Sequence, residues 1–142
     1  MKALHFLIAF FLVFVVFHTR APFAVGKVET YKEISAPEVK DMLEGKKVLA
    51  VHVLSEIEYD IQHIPGSVNI PIHKMKTTGK LPKDKNTPLI FYCMGRRWPY
   101  STKAARIAVE KGYTNVFAFL GGIPEWRNFN YPMTIDDEWQ KI

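Results

Sequence analysis

The sequence predicts an α/β domain with a parallel sheet, and three observations carry that expectation. Val48-Leu49-Ala50-Val51-His52-Val53 and Leu89-Ile90-Phe91-Tyr92 are nearly unbroken apolar runs, the pattern of strands buried on both faces. Each strand-like run is followed or preceded by a helix-like one. The same start signal, a serine followed three positions later by a glutamate, occurs twice, at Ser35-Ala36-Pro37-Glu38 and Ser55-Glu56-Ile57-Glu58.

Taken in order, the chain begins with twelve apolar residues, Phe6 to Phe17, preceded by Lys2 and followed by His18, Thr19, Arg20 and Pro22. A membrane span needs about 20 residues, so this run fits the core of an export signal. Ala24-Val25-Gly26 offers small residues for cleavage, while Pro22 and Phe23 make that site irregular. The expectation is an exported protein, periplasmic or otherwise extracytoplasmic, with residues 1–26 a signal peptide or N-terminal anchor and 27–142 the folded domain. If the leader is kept, residues 3–17 provide the membrane attachment.

Tyr31 to Ile34 reads as a short edge strand. The first capping box then opens a helix, with Ile34 and Val39 as a staple, Val39, Met42 and Leu43 on the buried face, and Gly45 at the end. Val48 to Val53 is the central parallel strand. The second capping box starts the next helix, with Leu54 and Tyr59 as its staple pair. His63-Ile64-Pro65-Gly66-Ser67-Val68-Asn69-Ile70-Pro71 makes a Pro-Gly turn feeding a short strand, and residues 72–88 read as an exposed connection. After Pro99, Thr102, Lys103, Arg106 and Glu110 form one polar stripe on an otherwise apolar helix that stops at Gly112. Asn115 to Leu120 is a strand, and Gly121 to Trp126 a turn opening a short helix. Met133 to Ile142 carries no clear pattern.

Composition narrows the function. The 142 residues suit one domain, with 48% apolar and 23% charged residues and a formal charge of +5. That balance is too mild to argue for nucleic acid. A single cysteine excludes an internal disulfide and any multi-cysteine metal site.

That cysteine, Cys93, ends the Leu89–Tyr92 strand and precedes the Pro99 helix. Helix N-terminal amides and the adjacent guanidiniums of Arg96 and Arg97 favour a thiolate there and suit an anionic ligand. The bland alternative is a packing thiol, since free cysteines are often simply buried, but such a thiol needs no pair of cations beside it. His63 reads as a turn-stabilising residue, His52 as either a core histidine or a reporter on the site, and Trp126 as packing. Tyr100 is placed to reach either the loop or the core.

Four stretches, in order, resemble one family. His63 to Pro71 resembles the GHIPGAxNIP motif of rhodanese-like domains, with Gln62 in place of the first glycine. Leu89 to Cys93 resembles the strand entering their active-site loop, Ser101-Thr102-Lys103-Ala104-Ala105 the helix after it, and Gly121-Gly122-Ile123-Pro124-Glu125-Trp126 their late Gly-Gly-x-x-x-Trp signature. The match covers residues 31–132. The resemblance implies a three-layer α/β/α domain with a mostly parallel five-stranded sheet. It also implies a sulfurtransferase in which Cys93 accepts sulfane sulfur from a small sulfur-containing anion such as thiosulfate and passes it to cyanide or a thiol. Gly95, Arg96, Arg97, Trp98 and Ser101 are then the substrate-binding residues, with no metal or cofactor required.

The chain departs from the family pattern at three points. Asp-x-Arg at the end of the central strand is replaced by His52 and Leu54, so Glu58 lacks an arginine partner. Ser101 lies eight positions after Cys93 instead of six, which makes the loop two residues longer. The loop is more similar to a variant, Cys-x-Gly-x-x-Cys-x-x-Ser-x-x-Ala-Ala, with Trp98 for the second cysteine; its ring is then expected either to cover the sulfur or to pack the loop against the helix. These changes support an alternative, a catalytically silent rhodanese-like binding or regulatory module. A cysteine phosphatase or arsenate reductase is a lesser alternative, because that chemistry wants arginine six positions after the cysteine, where Pro99 stands.

Overall fold

A computed structural model of the chain describes residues 31–45 and 48–136. The expected signal or anchor segment lies outside them.

The elements follow in the order β1 (Lys32–Glu33), α1 (Ala36–Glu44), β2 (Leu49–His52), α2 (Glu56–Ile61), β3 (Gln62–His63), β4 (Val68–Asn69), a 3-10 turn (Ile72–Lys74), β5 (Leu89–Tyr92), α3 (Tyr100–Glu110), β6 (Val116–Phe119), α4 (Gly122–Asn128) and β7 (Thr134–Ile135). Five strands form one sheet in the order β1-β6-β5-β2-β4, and every neighbouring pair is parallel. β5 is thus the middle strand, and all four of its residues are buried. Parallel strands need crossovers, and here helices cover both faces.

The strand period of two divides the core. Val51, Phe91, Cys93 and Ala118 face α3, whose Ala104, Ala105 and Ala108 let the helix backbone approach closely. Ala50, Ile90, Tyr92 and Phe119 face the other way, against Ala36 and Val39 of α1 and Ile123 and Trp126 of α4. The result is the three-layer α/β/α domain expected.

Both capping boxes form. Ser35 N and Oγ donate to Glu38 Oε2 at 2.7 and 2.6 Å. Ser55 N and Oγ donate to Glu58 Oε2 at 3.0 and 2.7 Å, and Glu58 N donates back to Ser55 Oγ at 3.2 Å. The Pro-Gly turn is closed by Ser67 N to Ile64 O at 3.1 Å, with Gly66 at φ +77°. Tyr92 anchors it from the sheet: its hydroxyl accepts from Ile64 N at 3.1 Å and donates to Ser67 Oγ, which donates to Ile64 O at 2.7 Å.

Two expectations need correction. Residues 72–88 are not all an exposed connection: Met75 is fully buried, because the 3-10 turn folds it onto the core that α3 covers. The unpatterned tail also contributes structure, since β7 pairs antiparallel with β3, Gln62 opposite Ile135 and His63 opposite Thr134.

Candidate active site

The chain leaves β2 for α2 on one face of the sheet and leaves β5 for α3 on the other. Where connections diverge in this way, a crevice opens beyond the carboxyl ends of the strands. A cleft of about 290 Å³ occupies that place, with Val53, Leu54 and Glu58 on the β2 side and Trp98 and Tyr100 on the β5 side.

Cys93 is the residue after β5 and has no solvent exposure. Its thiol lies 3.4 Å from the Trp98 carbonyl oxygen, 3.8 Å from that of Gly95 and 3.9 Å from Ser101 Oγ. The loop owes this shape to two glycines. Gly95 has φ +117°, a conformation that favours glycine, and its carbonyl accepts from Trp98 N at 3.0 Å to make a tight turn. Gly122 has φ +56°, and a β-carbon there would lie 2.0 Å from the Cys93 carbonyl oxygen and 2.7 Å from Gly95 N. Only glycine lets α4 come this close, so that Ile123 N can donate to the Cys93 carbonyl at 3.0 Å.

The cradle expected from sequence differs from the one observed. No backbone amide of the described residues donates to the sulfur; its partners are two carbonyl oxygens and a hydroxyl, which suit a neutral S–H donor. A negatively charged sulfur would face the wrong ends of those peptide dipoles.

The other predicted residues divide clearly. Gly95 and Ser101 are buried beside the sulfur. Arg96 and Arg97 are exposed on the loop, and Arg96 Nη1 reaches Glu33 Oε2 at 3.8 Å, a surface pair worth little in water. Trp98 presents its carbonyl to the sulfur, while its ring is 51% exposed, stacks on Tyr100 at 6.1 Å and lines the cleft. Of the two places expected for the ring, it does not cover the sulfur but stacks against the first residue of α3, because the turn started by Gly95 points the main chain inward.

His52 is fully buried at the end of β2, with Nδ1 3.4 Å from Asn69 Nδ2 and no partner for Nε2. Asn69 Nδ2 also donates to the carbonyls of His52 and Leu54 at 3.2 and 3.0 Å. Burial lowers the His52 pKa to about 4. His63 braces the turn as expected: Nδ1 donates to the Tyr59 carbonyl at 2.7 Å and the two rings stack at 3.8 Å. Trp126 is packing, its indole N–H donating to the Pro132 carbonyl at 2.7 Å. Glu58 keeps its capping role without an arginine partner and lines the cleft. Sequence reasoning missed Gly122 as the residue that shapes the loop; a glycine pair directly after a strand is the signal that points to it.

Fold and loop together define a class: a parallel three-layer α/β domain that places one cysteine just beyond its middle strand, ahead of Trp98 and Tyr100, which line an open cleft. Residues 35–129 match the rhodanese-like domain family, and the chain belongs to it. The chain is 25% identical over 97 residues to the thiosulfate sulfurtransferase GlpE of Coxiella burnetii, covering 68% of this chain and 88% of that protein. It is 28% identical over 107 residues to the human thiosulfate:glutathione sulfurtransferase, covering 66% of this chain and 90% of that protein. Among solved structures, a Bacillus halodurans protein superposes with a TM-score of 0.65 at 29% identity, over 75% of this chain and 78% of that one. A human single-domain sulfurtransferase shares the fold with a TM-score of 0.60 at 24% identity, over 68% and 95% of the two chains.

Proposed function

We propose that the protein is an exported sulfurtransferase that carries sulfane sulfur as a persulfide on Cys93. The observation that supports this most is the position of Cys93, directly beyond the middle strand of a rhodanese-like domain. In the proposed reaction the Cys93 proton goes to solvent and the thiolate attacks the outer sulfur of thiosulfate. The S–S bond of the donor breaks, and sulfite leaves with its electron pair. An acceptor thiolate or cyanide then attacks the terminal sulfur of the persulfide, forming a new persulfide or thiocyanate and returning Cys93 as thiolate. Arg96 and Arg97, exposed on the loop, meet the donor anion, and we infer that the Gly95–Arg96 and Trp98–Pro99 peptides turn to take their carbonyls off the sulfur.

The test is a mass spectrum of the protein after thiosulfate. A gain of one sulfur atom is expected, absent in Cys93→Ser and discharged by cyanide. No gain under any donor, with Cys93 free and the protein folded, favours the second reading, a silent binding module; the buried sulfur facing two carbonyls is the observation on its side. Export rests on the apolar run from Phe6 to Phe17 and is tested by fractionating cells and sequencing the N-terminus of the mature protein.

A further inference from the structure

A second groove, of about 440 Å³, runs along the outer face of α3, and Lys76, Lys103 and Arg106 line it together with Pro99, Tyr100 and Ile107. Its three cations are exposed, and none forms an ion pair with a described residue. One carboxylate, Glu110, stands against them in the groove. The fold makes no use of these charges: the buried side of α3 is apolar, and the helix is held by Ala104, Ala105, Ile107 and Ala108. The groove begins at Pro99 and Tyr100, where the Cys93 loop ends, and Tyr100 lines this groove and the cleft alike.

Unpaired cations over an apolar floor, next to a reactive group, suit a surface of opposite charge. A phosphate backbone fits less well. The cations are few, Glu110 stands among them, and Glu58 lines the adjoining cleft. We propose that this groove seats an acidic segment of a protein, and that this protein takes the sulfur, through a thiol that lies close to carboxylates. The sulfur-transfer half of the inference rests on the sulfurtransferase reading above; the docking half does not.

The experiment uses the full chain and three fluorescent peptides with a single cysteine, one rich in Asp and Glu, one neutral and one rich in Lys, together with a single-stranded RNA. Binding is measured by anisotropy with the peptide thiols blocked, at low and high salt. The acidic peptide is expected to bind in preference to the others and to weaken as salt rises. Lys103→Glu with Arg106→Glu should weaken it by about tenfold, and Lys76→Glu, on a different element, should act in the same direction. With thiols free, transfer from thiosulfate-loaded Cys93 to the acidic peptide should fall to a similar degree in these variants, while transfer to cyanide stays as in the parent. Equal binding of neutral or basic peptides, stronger binding of the RNA, or parent-like affinity in all the charge-reversed variants overturns the proposal. Selective binding of the acidic peptide without any transfer to cyanide supports the docking surface and removes the sulfurtransferase reading instead.

Discussion

Among the described residues His52 carries the clearest pH dependence. Desolvation lowers its pKa to about 4, against the pull of the Glu58 charge and with a smaller push from His63. The folded ring is therefore neutral at pH 7, whereas an unfolded histidine titrates near 6.5. Between these two values the unfolded chain binds the extra proton. Stability is complete above about pH 6.5 and is lost as pH falls toward 4, by on the order of 3 kcal/mol. Urea midpoints at pH 7 and 4.5 should show the drop, and His52→Leu should remove most of it. An equally steep drop in that variant places the dependence elsewhere. The two loop arginines belong to the same scale. Replacing both with alanine should raise KM for thiosulfate several-fold, because two cations leave the path of a dianion, while melting stays within about 0.5 kcal/mol of the parent, as for exposed side chains generally. Unchanged donor kinetics would free both residues from donor binding.

At the scale of elements, the approach of α4 to the Cys93 loop depends on one missing side chain. Gly122→Ala puts a carbon 2.0 Å from the Cys93 carbonyl oxygen and demands a positive φ from alanine. We expect a loss of about 2 to 4 kcal/mol and a disturbed loop, read as a lower melting temperature and altered alkylation of Cys93. A variant that melts like the parent would mean that the loop moves aside without cost. The helix starts were legible in sequence because a capping box is local chemistry, complete within four residues at Ser35–Glu38 and Ser55–Glu58. β2 and β5 were legible because burial on both faces leaves a continuous apolar run. β3 and β7 were not. Each has two residues, and each exists only because Gln62 and His63 meet Ile135 and Thr134 across the chain. The peptide orientation around the sulfur was equally hidden, since composition places Arg96 and Arg97 in the loop but does not say whether amides or carbonyls point inward.

For the whole molecule, the expected export segment lies outside the described residues, and among the described ones Ala36 and Val39 are the earliest buried members of the two cores. Residues 27–142 alone should melt within a few degrees of the full-length chain, measured by circular dichroism in the same detergent-free buffer. A truncated chain that is insoluble or melts far lower would assign residues 1–26 a part in the core.

The strand order has a consequence for a chain that emerges N-terminus first. Among the described strands β1 pairs with β6 alone, Lys32 beside Phe117 and Glu33 beside Ala118, so the first of them in the chain waits for nearly the last. Until then β1 is an unpaired edge, and its pairing, with the large loop closure it requires, belongs late in folding. Lys32 and Glu33 are both exposed and charged, which keeps that waiting strand from pairing with a neighbouring chain.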